Sequence, residues 1–326
     1  MIAGVDIGGT KCAVATWSSR QGLRELARFP TQSPTLTLAR VEQELARLRL
    51  PREAVIGVAC GGPLDAQKGV IQSPPNLPGW DDVTVVAQLE KTQRRRVFLM
   101  NDANANALAE WRFGAGQHSR LMVYLTAGTG MGAGIVIDGR LLEGVCGNAG
   151  EVGHLRLSPR GPVGFHKAGS FEGWCSGGGI PEIVRFLPRA AQPADVAAWQ
   201  ARHRTTRSIA EAARSGDPVA RRVFAEAGRK LGLALAGIVD LLNPDRIVIG
   251  SLYGRCRDLL DETLLPVLRR EALASSLAAC EIVPASLGEQ TGSYGAICVG
   301  LSGIEPTTGA TPDKPRNPQA IATKKH

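Results

Sequence analysis

No apolar run in this 326-residue chain is long enough to cross a bilayer, and no basic segment with a cleavage site precedes the first apolar stretch. The chain is therefore expected in the cytoplasm, with no membrane partner. No Cys-x-x-Cys pair occurs either. The seven cysteines (Cys12, Cys60, Cys146, Cys175, Cys256, Cys280 and Cys298) are odd in number and widely spread, which suits reduced thiols rather than a disulfide framework. The short basic clusters lack interleaved aromatics. A net charge of +8 would favour a polyanion through counterion release. Yet Arg94-Arg95-Arg96 and Arg269-Arg270 carry none of the aromatic interleaving of a single-strand platform, so they read as solvated faces and no nucleic-acid partner is expected.

What is present is the balance of a soluble globular protein, 44% apolar and 21% charged, in a chain longer than one core usually supports. Two domains with a cleft between them follow as the expectation. The most informative stretch lies near the start, where Asp6-Ile7-Gly8-Gly9-Thr10-Lys11 sits between two short runs rich in Val, Ile and Ala. Adjacent glycines let a backbone approach an anion closely, Thr10 adds a hydroxyl, and Asp6 adds a carboxylate for a metal beside it. The flanks predict a hairpin between buried strands. A P-loop would instead need a longer loop opening a helix. In isolation an ordinary Gly-Gly hairpin would look the same.

Further along, Leu38, Val41, Leu45 and Leu48 mark a helix within 34–50, and 54–60 reads as a buried strand ending in Gly61-Gly62-Pro63. A loop through Asn76 and Trp80 leads to a helix from Thr84 and a strand at 97–100. Asn101-Asp102 then falls at a strand's end and at the N-terminus of an Ala-rich helix, where a carboxylate is a common cap. A second strand, glycine turn and strand follow at 121–125, 126–132 and 133–137, which hints at two halves of similar architecture. Asp217-Pro218 opens a long helix to about Leu242. A strand at 246–250, a helix over about 259–270, a strand at 281–284 and an apolar helix at 294–301 complete the pattern. From Ile304 onward the composition predicts a disordered tail.

Four separated motifs, Asp6-x-Gly8-Gly9-Thr10-Lys11, Asn101-Asp102-Ala103-Asn104, Gly128-Thr129-Gly130-Met131-Gly132 and Gly150-Glu151-Val152-Gly153-His154, resemble in type and order those of the ROK family of sugar kinases over residues 2–301. The resemblance implies an α/β, two-domain actin-like ATPase (ribonuclease H-like) fold with a central interdomain cleft. Its domains would be a smaller one at 1–118, a larger one at 119–290, and a helix at 291–303 returning toward the first, ahead of a tail at 304–326. It implies an ATP-dependent, Mg2+-assisted hexose kinase, with glucose phosphorylated at the 6-position as first choice and fructose or an N-acetylated hexosamine as alternatives. A homodimer is the common assembly of similar proteins.

Residue by residue, Asp102 matches the family's catalytic base, and Asn101 beside it a sugar-hydroxyl partner. Glu151, His154 and Glu172 resemble the sugar-contacting residues, with Gly62 and Asn76 in bordering loops. Asp6, Gly8, Gly9, Thr10, Lys11, Thr129 and Gly130 match the nucleotide phosphate turns. Gly292-Ser293-Tyr294-Gly295-Ala296 resembles the family's closing glycine turn.

Two departures stand out. Where most of the family carries three zinc-binding cysteines between the histidine and the last glutamate, this chain has Val163, Phe165 and Ser170. His154 alone cannot assemble a tetrahedral site, and His166 with Cys175 is a poor substitute, so no zinc is expected. Phe165, Phe171 and Trp174 are expected to close that loop by packing. The second departure is Gly250-Ser251-Leu252, in place of small glycines beside the adenosine, where Leu252 puts the nucleotide pocket in question. A dinucleotide fingerprint at 128–134 is rejected, because that run lies between strands and opens no helix. The rival reading is a sugar-sensing repressor or non-catalytic sensor related to this family; no helix-turn-helix fits ahead of the first strand.

Overall fold

The computed structural model describes residues 1–304. The tail expected at 304–326 lies, apart from its first residue, outside the described residues.

The chain begins with β1 (Ile2–Ile7), which turns back as β2 (Lys11–Ser18) and again as β3 (Gly22–Pro30), all antiparallel. Pro34, rigid at the first helical position, starts α1 (Pro34–Arg47), whose Leu38, Val41 and Leu45 are buried at the spacing that identified the helix. It crosses to β4 (Val55–Cys60), parallel to β1. A small ribbon of β5 (Leu64–Asp65) and β6 (Val70–Ile71), then α2 (Val85–Gln93), lead to β7 (Val97–Asn101), parallel to β4. The sheet order is β3-β2-β1-β4-β7.

The second half repeats the plan. After α3 (Asp102–Phe113), the strands β8 (Leu121–Leu125), β9 (Ala133–Ile137) and β10 (Arg140–Leu141) run antiparallel. A ribbon of β11 (Val163–Gly164) and β12 (Lys167–Ala168) precedes α4 (Phe171–Cys175), α5 (Val196–Arg202) and α6 (Thr206–Arg214). Asp217 then caps α7 (Pro218–Leu242) by accepting from Val219 N and Ala220 N. Next come β13 (Arg246–Ile249), α8 (Ser251–Glu271), α9 (Ala274–Ala278) and β14 (Glu281–Pro284), with β13 parallel to both β8 and β14. The order β10-β9-β8-β13-β14 therefore has the same strand directions as the first sheet, which is the duplicated architecture the sequence hinted at.

The last helix among the described residues, α10 (Thr291–Ser302), leaves the second sheet and packs on β1, β4 and α3. Gly57 supplies the room, since a Cβ on it would collide with the backbone of α10, and Gly4 lies in tight contact with Ala296 and Ile297. Together α3 and α10 form the seam between two cores, one around Val5, Leu38 and Val58, the other around Leu125, Leu235 and Ile249. Among the described residues no helix is long and apolar enough to cross a membrane.

Two elements differ from the expectation. α8 begins at Ser251 rather than near Leu259, because Gly250 sits against the carbonyls of Leu125 and Thr126 and launches the helix from the sheet; the helix kinks at Cys256. The Gly292-Ser293-Tyr294-Gly295-Ala296 stretch is no turn but the start of α10. Its glycines serve contact: Gly292 abuts Asp6, and Gly295 abuts α3 at Ala105 and Asn106.

Candidate functional site

The Gly8-Gly9 turn closes the β1–β2 hairpin by donating Gly8 N to Lys11 O at 3.0 Å, and Thr31 braces it by donating its hydroxyl to Gly8 O at 2.7 Å. Gly9, Thr10 and Lys11 are exposed, so this turn presents backbone and hydroxyl to solvent. Gly9 also packs directly on Asn76, where an added Cβ would lie 2.6 Å from Asn76 O. The hairpin and the loop through Asn76 thus share one surface.

Asp6 lies at the end of β1, against Gly292. Burial, and next the charge of Asp102, push its carboxyl up to about 7, against the opposing pull of Arg28 and Lys11. Asp102 is raised as well, first by burial; the Ala103 amide, donating to Oδ1 at 2.8 Å, works the other way, and Glu151 adds a further upward push. Two carboxylates that repel each other beside an anion turn are a donor set for a hard cation. Mg2+ is commonly held by one or two carboxylates plus substrate phosphates, so these residues fit it.

Asn101, not Asp102, is the N-cap of α3: its Oδ1 accepts from Ala103 N at 2.9 Å. Asp102 is the first helical residue, where a negative charge is favoured by the helix dipole. With Oδ1 engaged, Asp102 Oδ2 faces Gly61, and Asn101 Nδ2 faces Gly62. The base candidate, its neighbour and the Gly61-Gly62 corner therefore meet at the ends of β4 and β7.

The second glycine turn lies on the other side of α3, with Gly132 against Ala103. Gly132 N donates to Thr126 Oγ1 at 3.0 Å, and Gly128 N to Gly130 O at 3.1 Å, so the turn is internally braced while Thr129 stays exposed. Glu151 and His154 flank a single helical turn, 3.9 Å apart between Oε2 and Nε2, and both are about half exposed. Glu172 sits differently from an open sugar contact. Its oxygens accept from Met131 N at 3.0 Å and Phe165 N at 3.2 Å.

The groups around His154 have other partners. Its ring stacks on Phe165 at 4.2 Å between centroids and 26° between planes, its carbonyl accepts from Lys167 Nζ at 2.7 Å, and Ser170 spends its hydroxyl on Gly164 O and Gly173 N. Cys175 is buried in the second core, and among the described residues no three His, Cys, Asp or Glu are grouped to hold a metal. The loop is closed instead by the β11–β12 ribbon and by Phe171 and Trp174, both buried, the latter donating to Ser158 Oγ at 2.8 Å. Phe165 takes the stacking role and stays partly exposed rather than entering that packing.

Leu252 points into the second core. It is 9% exposed and lines a small apolar cavity there with Ala127, Met131 and Tyr253. Two contributors carried no sequence signal. Glu25 on β3 accepts from Ser293 of α10 at 3.0 Å and sits with Arg28 in the charge field of Asp6. The fully buried Glu110 on α3 accepts from Ala115 N, Ser286 N and Leu287 N, tying α3 to the strand-to-helix loop before α10. Both act across large sequence separations.

The ROK family model matches residues 2–301. The chain is 30% identical to the glucokinase of Thermotoga maritima over 305 residues, covering 91% of this chain and 96% of that one. Among solved structures, a ROK hexokinase from Thermus thermophilus superposes with a TM-score of 0.75 at 30% identity, covering 93% of this chain and 98% of that one. A ROK family glucokinase from Streptomyces griseus, in complex with glucose and AMPPNP, gives 0.71 at 28% identity, covering 92% and 99%. The family's breadth is visible in weaker matches, to an N-acetylgalactosamine kinase of Shewanella sp. (28%, over 92% of this chain and 96% of that one) and a xylose repressor of Caldicellulosiruptor bescii (27%, over 80% and 66%). The two α/β domains have the actin-like ATPase fold of these structures.

Proposed function

Since the chain belongs to the ROK family of sugar kinases, we propose that it transfers the γ-phosphate of ATP to a hexose, with glucose at its 6-hydroxyl as the substrate. The observation that carries this reading is Asp102: a carboxyl made more basic by burial, with one oxygen pinned by Ala103 N and the other facing the Gly61-Gly62 corner. Such a group suits a general base. Asp102 accepts the proton of the hexose hydroxyl as its oxygen bonds to the γ-phosphorus; the bond to the bridging β–γ oxygen breaks and ADP leaves.

Each other residue has a part in this scheme. Glu151, His154 and Glu172 orient the hexose with Asn101, Asn76 and Gly62, while Gly8, Gly9, Thr10, Lys11, Thr129 and Gly130 hold the ATP phosphates. Mg2+, held by Asp6 with the phosphates, would supply neutralisation of the charge that develops on transfer. No structural zinc enters the scheme. The smaller domain is 1–118 and the larger 119–290, with 291–303 returning to the first, and the setting is the cytoplasm, with a homodimer as the assembly.

The repressor match supports one alternative, a sugar sensor without turnover. Retention of Asp102 together with the whole Asp6–Lys11 turn favours catalysis. The test is a coupled ADP-release assay over glucose, fructose and N-acetylated hexosamines, with the parent and Asp102→Ala side by side. Turnover on glucose, lost by a factor of about 10²–10⁴ in the variant while the sugar still binds, is expected. Sugar binding with no turnover by the parent on any hexose would establish the sensor instead.

A further inference from the structure

Glu172 stands between two loops rather than at the edge of one. Its Oε2 accepts from Met131 N in the second glycine turn, and its Oε1 accepts from Phe165 N beside the His154 ring. The segment after α4 grips the same turn again, with Gly177 N donating to Gly128 O at 2.7 Å and Gly178 N to Thr129 O at 3.0 Å. Gly130 has no room for a side chain, because a Cβ there would lie 2.7 Å from Glu172 Oε2. Toward the other loop, Phe171 N donates to Leu155 O at 2.7 Å, and Gly153 of the Glu151–His154 turn abuts the carbonyl of Met131. α4 is therefore bonded to both loops, and neither can shift without loading the Glu172 carboxylate.

We propose that Glu172 is a positioning residue that couples hexose occupancy to the shape of the 126–132 turn, so that sugar and nucleotide each tighten the other's site. This deepens the kinase reading and rests on it. A carboxylate offers about four acceptor sites, of which the two amides take two, which leaves capacity for a hexose hydroxyl. A hydroxyl donating there draws on the same oxygens that hold Met131 N and Phe165 N. The position of the sugar is thereby transmitted to the backbone that faces the phosphates. Linkage requires the effect to be reciprocal, with the coupling factor the same from either side.

The test is calorimetric titration of a non-hydrolysable ATP analogue, with and without the hexose that turns over fastest, on the parent, Glu172→Gln and Gly130→Ala. Glutamine keeps the length and one acceptor oxygen, but its amide nitrogen cannot accept from the N–H it would face. Gly130→Ala crowds the carboxylate from the turn side while leaving its charge and both acceptor oxygens in place. The sugar should tighten analogue binding at least about fivefold in the parent, and that factor should fall below about twofold in both variants. Should Glu172→Gln fail to fold, the Gly130→Ala arm decides alone. Weaker sugar binding by Glu172→Gln with the parental coupling intact would overturn the proposal, leaving Glu172 a simple sugar contact; so would a parent whose nucleotide affinity ignores the sugar. Failure of the kinase reading is separate, since it appears as no ADP released by the parent with any hexose.

Discussion

Gly292, in the first turn of α10, lies so close to Asp6 at the end of β1 that a Cβ on it would overlap the carboxylate. The contact joins α10 to β1 at the point where the phosphate turn begins. Alanine is favoured over glycine in a helix by about 1 kcal/mol, so intrinsic propensity predicts that Gly292→Ala stabilises α10. The local overlap predicts the opposite for activity, because the methyl group must displace Asp6. We expect Gly292→Ala to melt within a few degrees of the parent while its kcat/KM for ATP falls at least about tenfold, a loss of about 1.4 kcal/mol in transition-state stabilisation. An unchanged kcat/KM would show that the position of Asp6 does not depend on this contact.

Asp6 itself gives a stability prediction with a definite sign. Its carboxyl titrates at about 7 in the folded chain, against about 3.9 for an unperturbed aspartate, because burial and Asp102 oppose its charge. The folded state keeps the proton to higher pH than the unfolded one. Asp6 therefore costs no stability below pH 4, an increasing amount from 4 to 7, and the full amount above 7. Allowing for partial exposure, the full cost is on the order of 2–4 kcal/mol at roughly 1.4 kcal/mol per unit. Asp6→Asn should melt several degrees above the parent at pH 8 and close to it at pH 4.5, while losing ATP turnover. Equal melting at pH 8 would mean the carboxylate is not destabilised in the fold.

Why the phosphate side was readable and the coupling was not follows from range. The Asp6–Lys11 hairpin, the Asp217-Pro218 helix start and the strand-turn-strand at 121–137 are written in adjacent residues, whose turn and capping preferences act locally. Asn101 and Asp102 were legible as a strand end, but their division of labour depends on which side chain reaches Ala103 N. A glycine can mark a turn or a close contact, and adjacent residues do not say which. In α10 the glycines instead admit Asp6 and α3, and tertiary contact overrides their poor helix propensity. The bonds of Glu172 to Met131 and of Glu110 to Ser286 and Leu287 join residues 41, 176 and 177 positions apart, and no periodicity records them.

Leu252 stands where the sequence pattern expects the adenosine, yet its side chain belongs to a core. Its side chain is buried in the second core beside Ile249 and Tyr253, and its amide donates to Ala127 O at 3.2 Å. Leu252→Ala should therefore act as a core truncation, destabilising by about 2–5 kcal/mol through lost burial and an enlarged cavity. The KM for ATP should remain within twofold of the parent at a temperature where both are folded. A tenfold rise in that KM without loss of melting temperature would put Leu252 in the pocket after all.

The stacked pair of His154 and Phe165 carries the last prediction, because it does for the imidazole what a metal ligand bond would otherwise do. A ring stacked at 4.2 Å and 26° has a preferred plane, with aromatic pairs contributing about 0.5–1.5 kcal/mol. Val163, Phe165 and Ser170 stand where thiols would be needed for a zinc site. Elemental analysis of the purified chain should find well below one zinc per molecule, and prolonged chelation should leave the melting temperature unchanged. Phe165→Ala should release the imidazole and raise the KM for the hexose about three- to tenfold, while the KM for ATP moves less. Stoichiometric zinc, or a Phe165→Ala variant with an unaltered hexose KM, would show that His154 is oriented by something other than this ring.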